Sequence, residues 1–143
     1  MQRRDFIKNT CRVCLLGSAG IAAFNLNACS PKVGSALAKP DVKNNKITIP
    51  TALFNTNPVQ IITPNKYPYE IAVQQINETT YQALLLKCTH YDNQLMPTGK
   101  GYNCQLHGSS FDANGQVTKG PAAESLLQLK TTISETDLLI QLI

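Results

Sequence analysis

The chain has 143 residues, enough for one domain with short extensions, and its 43% hydrophobic and 15% charged residues exclude an intrinsically disordered protein. The formal net charge of +4 is concentrated at the start, because the first 28 residues hold four basic side chains and one acidic side chain. The rest of the chain is nearly neutral and gives no reason to expect nucleic-acid binding.

The first eight residues read MQRRDFIK and resemble a twin-arginine export signal, with Arg3 and Arg4 followed by an aromatic and an aliphatic residue. Residues 13–24 form a weakly apolar stretch that is too short, and too often interrupted by glycine, to span a membrane. We therefore predict that residues 1–28 are a signal segment. The twin-arginine route carries folded proteins, so such a signal is typical of proteins that receive a cofactor before export.

Residues 26–29 read LNAC, which resembles the cleavage box of bacterial lipoproteins. The resemblance implies that Cys29 becomes the N-terminus of the mature protein and carries a lipid. The predicted location is therefore the periplasmic side of a membrane, with the protein anchored by that lipid. The alternative is an uncleaved helix that lies on a membrane surface.

Residues 29–45 are rich in Pro, Ser, Gly, Lys and Asn and show no periodic apolar pattern, so we predict a flexible linker. The region from residue 46 to residue 143 is predicted to be a single folded domain. Its apolar residues occur in short runs separated by polar turns, and no stretch has a sustained helical period. The pattern predicts an antiparallel all-β domain. The predicted strands are residues 47–49, 59–62, 70–76, 81–87, 126–133 and 138–143, with a further tight turn at 112–115.

The predicted domain contains two cysteines and two histidines, and each histidine stands next to a cysteine. The pairs are Cys88-Thr-His90 and Cys104-Gln-Leu-His107, and each follows a strand-like run. Two thiolates and two imidazoles suit either zinc or iron–sulfur chemistry. A Cys88–Cys104 disulfide with two incidental histidines is a further alternative in an exported protein.

The spacing Cys-x-His followed by Cys-x-x-His resembles the Rieske signature, in which two cysteines bind one iron and two histidines bind the other. Residues 104–112, CQLHGSSFD, resemble the second cluster-binding box of that family. The resemblance implies one 2Fe–2S cluster per chain, bound by Cys88, His90, Cys104 and His107. It also implies a Rieske-like antiparallel β sandwich with the cluster-binding loops at one end.

The resemblance assigns further residues to the surroundings of the cluster. Ser109 would donate its hydroxyl to a bridging sulfide, and Gly120 and Pro121 would belong to a third loop that covers the cluster. Phe111 occupies the position of a tyrosine that donates to a cysteine sulfur in high-potential members. We therefore expect a reduction potential below that of those members.

Those members also carry a disulfide between the two ligand loops. This chain has Asn93 and Leu106 at the corresponding positions. The loops are therefore expected to be held by packing and hydrogen bonds alone.

The resemblance implies an exported one-electron transfer protein, with a cytochrome or a quinol-oxidising complex as its redox partner in a respiratory chain. The alternative is the small subunit of a periplasmic oxidoreductase similar to arsenite oxidase. A Rieske oxygenase needs a second iron site, for which no histidines remain, and no independent catalytic site is evident. A zinc-stabilised binding module is the alternative from a different functional class.

Overall fold

The computed structural model describes residues 39–143, in which the chain is almost entirely β. The described part contains eleven strands and a single short 3-10 helix, and the strands form three antiparallel sheets. The strands are β1 Lys46–Pro50, β2 Val59–Ile62, β3 Ile71–Asn77, β4 Thr80–Leu85, β5 Met96–Thr98, β6 Gly101–Asn103, β7 Ser110–Asp112, β8 Val117–Lys119, β9 Gln128–Leu129, β10 Thr131–Ser134 and β11 Asp137–Gln141, and the 3-10 helix is Thr51–Phe54.

The first sheet has the strand order β1-β11-β10, with β11 at its centre. Ile47 pairs with Ile140, and Ile49 pairs with Leu138. These four side chains are buried, whereas their neighbours along each strand point outward. The alternation of apolar and polar residues therefore gives this sheet one core face and one solvent face.

The second sheet, ordered β2-β3-β4-β9, is buried on both faces. Ile71 and Val73 of β3 pack into a core shared with the first sheet. Ala72, which lies between them, packs with Leu84 into a second core on the opposite face. Burial on both faces explains the uninterrupted apolar runs at residues 71–73 of β3 and 83–85 of β4.

The third sheet, ordered β5-β6-β7-β8, closes the second core from the other side. The sequence did not predict β5 and β6, because three-residue strands are too short to show alternation. Gly101 at the start of β6 has φ of +152° and leaves no room for a Cβ atom against the backbone of β7. The absence of a side chain at Gly101 allows the backbones of β6 and β7 to lie this close together.

The predicted strand 126–133 is wrong as a single element. The structure divides it at Lys130 into β9, which pairs with β4, and β10, which pairs with β11. The chain thereby passes from the second sheet to the first. An apolar pattern shows which residues are buried but not which strand they pair with, so it did not reveal this change of sheet.

The predicted signal and most of the predicted linker lie outside the described residues, and the domain boundaries stay predictions. The last part of the linker, residues 39–45, contacts the domain. The carbonyl of Pro40 accepts a hydrogen bond from the Asn65 amide at 2.9 Å, and that of Asn45 accepts one from Leu142 at 2.7 Å. Within residues 39–143, no helix is both long and apolar enough to cross a membrane.

Ile140 is fully buried at the centre of the first sheet, whereas the next side chain, Leu139, lies half-buried on the opposite face. We expect Ile140→Ala to lower the free energy of unfolding by about 2–5 kcal/mol, because it leaves a cavity in the core. Leu139→Ala, the control, should cost about 1 kcal/mol or less. Equilibrium unfolding in urea measures both, and equal losses would contradict this assignment of faces.

Candidate metal centre

The four candidate ligands lie on two loops that are closed in the same way. In the first loop, residues 88–93, the amide of Cys88 donates to the carbonyl of Asn93 at 2.9 Å. In the second loop, residues 104–109, the amide of Cys104 donates to the carbonyl of Ser109 at 2.8 Å. Each cysteine therefore begins a tight loop, and the carbonyl of the last residue of that loop accepts a hydrogen bond from the cysteine amide. The φ of +77° at Gly108 is one that glycine adopts without strain.

The loops bury the two thiols and expose the two imidazoles. Cys88 and Cys104 are 1% and 2% exposed, belong to the second core, and are free thiols. His90 and His107 are exposed, and their ring centroids lie 5.0 Å apart at an interplanar angle of 82°. The two thiols therefore lie on the inner side of the candidate site and the two imidazoles on its outer side. The structure places no disulfide between Cys88 and Cys104.

Hydrogen bonds favour the thiolate of Cys104, the form that binds metal. Burial alone raises the pKa of this thiol. Hydrogen bonds from the backbone amides of His107 and Leu106 and from the side chains of Cys88 and Asn93 together outweigh that effect and bring the pKa below its ordinary value. The second loop thus presents amide donors to the sulfur of its own cysteine.

Two hydrogen bonds fasten residues 119–124, the third segment, to the two loops. Ser109 is fully buried, and its Oγ accepts a hydrogen bond from the Ala122 amide at 3.0 Å. Thr89 in the first loop donates its hydroxyl to the carbonyl of Glu124 at 2.6 Å. Because Ser109 Oγ acts as an acceptor here, its hydroxyl proton remains available to a sulfide.

Gly120 and Pro121, which the resemblance placed in this segment, are exposed and joined by a cis peptide bond. Sequence reasoning missed Thr89, because a threonine between two ligands has no distinguishing signal. The structure holds the third segment through Thr89 and Ser109, whereas Gly120 and Pro121 form its outer edge.

Phe111 is buried in the second core and pairs with Tyr102 across β6 and β7. It contributes no hydroxyl to the site. Leu106 is 49% exposed, at the surface of the second loop.

Asn93 has a contact that the sequence did not reveal. Its Nδ2 atom lies 3.8 Å from Cys104 Sγ and acts as a donor to that sulfur. The sequence showed only that this residue is not a cysteine.

The donor set fits a binuclear cluster. A structural zinc site requires four ligands around one ion, whereas each iron of a Rieske cluster takes two protein ligands. Two inner thiols and two outer imidazoles match the second arrangement.

Comparison with known proteins decides the family. The model of the Rieske [2Fe-2S] domain matches residues 40–132, which is more than half of the chain. The chain belongs to the Rieske family. This family binds a 2Fe–2S cluster, so the cofactor predicted from the resemblance to the Rieske signature is confirmed, as is the all-β fold class.

The curated relatives are cyanobacterial. The cytochrome b6-f complex iron-sulfur subunit of Synechococcus elongatus is 33% identical over 76 residues, which covers 51% of this chain and 42% of that protein. The subunit of the same name from one strain of Prochlorococcus marinus is 39% identical over 56 residues, or 37% of this chain and 31% of that one. This chain therefore spans less than half the length of the curated relatives that it matches.

Among solved structures, the cyanobacterial plasma membrane Rieske protein PetC3 from Synechocystis PCC 6803 has a similar fold. The TM-score is 0.52 at 25% identity, and the match covers 66% of this chain and 98% of that one. The match supports the Rieske fold of residues 39–143.

Ser109→Ala should destabilise the domain, because it leaves the Ala122 amide without its partner in a buried position. We expect a loss of about 1–3 kcal/mol in the free energy of unfolding. Ser110→Ala is the matched control, since Ser110 is the next residue and is less buried, and it should change stability by no more than about 0.5 kcal/mol. Urea unfolding of both variants measures the difference, and equal costs would show that the Ser109–Ala122 bond does not fasten the third segment.

Proposed function

We propose that this protein is an exported one-electron carrier in which Cys88 and Cys104 bind one iron and His90 and His107 bind the other. The observation that carries the proposal is the division of ligands, with two buried thiols and two exposed imidazoles on neighbouring loops. A 2Fe–2S cluster bound in this way supplies reversible one-electron chemistry.

The two histidines set the broad range of the potential. Neutral imidazoles in place of two thiolates leave less negative charge at the site, which makes an electron easier to add. Rieske centres accordingly have potentials between about −150 and +300 mV, against about −400 mV for plant-type ferredoxins.

The exposed histidine rings provide the route by which electrons enter and leave. Tyr91, which is 64% exposed, lies with its ring 6.2 Å from that of His107, and Leu106, the residue before His107, is half-exposed. Exposed apolar side chains near the two imidazoles, here Tyr91 and Leu106, suit a transient contact with a redox protein, because such contacts are small and form and break quickly.

The redox partner that we propose is a membrane-bound, quinol-oxidising cytochrome complex in a respiratory chain. The names of the curated relatives, subunits of cytochrome b6-f complexes, support this assignment, and so does the plasma membrane Rieske protein of similar fold. Export by the twin-arginine route and a lipid at Cys29 would hold the carrier on the periplasmic side, close to such a complex. Isolation together with a large cofactor-bearing subunit would instead indicate an oxidoreductase small subunit.

The proposed ligands can be tested on the purified full-length protein. We expect two irons and two acid-labile sulfides per chain, a red-brown colour, and the low average g value of mixed nitrogen and sulfur ligation after dithionite reduction. Cys104→Ser and His90→Ala should abolish this signal, whereas Cys29→Ser should keep it. Stoichiometric zinc without iron, or an unchanged signal in either ligand variant, would contradict the proposal.

Phe111→Tyr tests how the surroundings tune the potential. A hydroxyl that donates to a cysteine sulfur stabilises the reduced state by about 1 kcal/mol, which corresponds to roughly 40 mV for a one-electron couple. We therefore expect protein-film voltammetry to show a rise of about this size in Phe111→Tyr. Phe54→Tyr, which changes an equally buried ring in the first core, should leave the potential unchanged. A wild-type midpoint of about +250 mV or higher at neutral pH, near the top of the Rieske range, would contradict the expected low position.

A further inference from the structure

Asn93 contacts both cysteine residues of the site. Its carbonyl accepts the hydrogen bond from the Cys88 amide that closes the first loop, at 2.9 Å. Its side-chain Nδ2 reaches the second loop, where it lies 3.8 Å from Cys104 Sγ. One residue therefore joins the backbone of one cysteine to the sulfur of the other.

The Asn93 side chain is fixed in this direction by a second hydrogen bond. Nδ2 also donates to the carbonyl of Gln94 at 3.0 Å. A primary amide has two hydrogens, so one can hold the side chain against its own backbone while the other points at the sulfur. Asn93 is partly buried, and Cys104 is almost fully buried, so little water competes for this contact.

The contact joins two loops that no covalent bond connects. Cys88 and Cys104 are the cysteines of residues 39–143, and both are free thiols. The bonds of Thr89 and Ser109 lead to the third segment, so they hold the loops together indirectly. The Asn93 amide, in contrast, connects the first loop to a ligand atom on the second.

An amide that donates to a ligand sulfur also affects the electron affinity of the site. It draws electron density from the thiolate, and the negative charge gained on reduction strengthens the hydrogen bond. Hydrogen bonds to the sulfurs are among the factors that set the potentials of iron–sulfur clusters. Removal of the donor should therefore lower the midpoint potential.

We propose that Asn93 is a positioning residue that ties the two ligand loops together without a covalent bond and raises the reduction potential through its hydrogen bond to Cys104 Sγ. The inference rests on the proposed function, because it takes Cys88 and Cys104 to be cluster ligands.

Two replacements of similar size separate the effect of losing the hydrogen-bond donor from the effect of an added charge. Asn93→Leu removes the donor without adding charge, and Asn93→Asp removes the donor and adds a negative charge next to the sulfur. Voltammetry on the full-length holoprotein should place the midpoints in the order wild type, then Leu, then Asp, from highest to lowest. Loss of the visible absorption in the presence of an iron chelator should be faster in both variants. Asn55→Leu, at an exposed position, is the control and should match the wild type in both measurements.

A measurement on the wild-type protein does not depend on whether these variants fold. With ¹⁵N in the side-chain amides of asparagine, pulsed EPR of the reduced protein should show a weak nitrogen coupling from the donor to Cys104 Sγ. Absence of this coupling, or a midpoint in Asn93→Leu equal to or above that of the wild type, would overturn the proposal. These outcomes leave a normal cluster signal in the wild type, whereas failure of the proposed function removes that signal altogether.

Discussion

The site depends on one constraint: two thiols from different loops must be brought together inside a hydrophobic core. Each loop meets this requirement with a hydrogen bond from the cysteine amide to the carbonyl five residues later. The bond turns the chain sharply enough for the cysteine to face the core while the histidine that follows it faces solvent. The inner pair of thiols and the outer pair of imidazoles are thus a consequence of backbone geometry and burial acting together.

The three-layer arrangement gives these loops a rigid base. The second sheet is buried on both faces and separates the core that it shares with the first sheet from the core that contains the two sulfurs. The first loop follows β4 of this sheet, and the second loop connects β6 and β7 of the third sheet. Packing between these two sheets fixes the distance between the loops. The hydrogen bonds of Thr89, Asn93 and Ser109 then refine their alignment.

The sequence predicted the features that repeat or that depend on residue type. Alternation of apolar residues predicted β1 and β11, and the polar turn at 77–80 predicted the hairpin of β3 and β4. The thiolates and imidazoles predicted a metal site but left zinc and iron–sulfur chemistry open, and the resemblance of their spacing to the Rieske signature predicted the cofactor.

Features that depend on three-dimensional proximity were not predictable. The change of sheet at Lys130 was not predicted, because an apolar pattern does not show which strand a residue pairs with. The contact between Asn93 and Cys104 crosses 11 positions of sequence and involves a residue type that is common in loops. A side chain of this kind gains its role from where the fold places it.

The double-sided burial of β3 has a consequence for how the protein can vary. Adjacent residues of this strand pack into different cores, since Val73 belongs to the core shared with the first sheet and Ala72 belongs to the core that contains the two sulfurs. A substitution at Val73 can change the stability of the domain while the reduction potential stays constant. A substitution at Ala72 can change the reduction potential while the stability of the domain stays constant. Adjacent residues of one strand therefore allow the stability of the domain and the properties of the site to evolve separately.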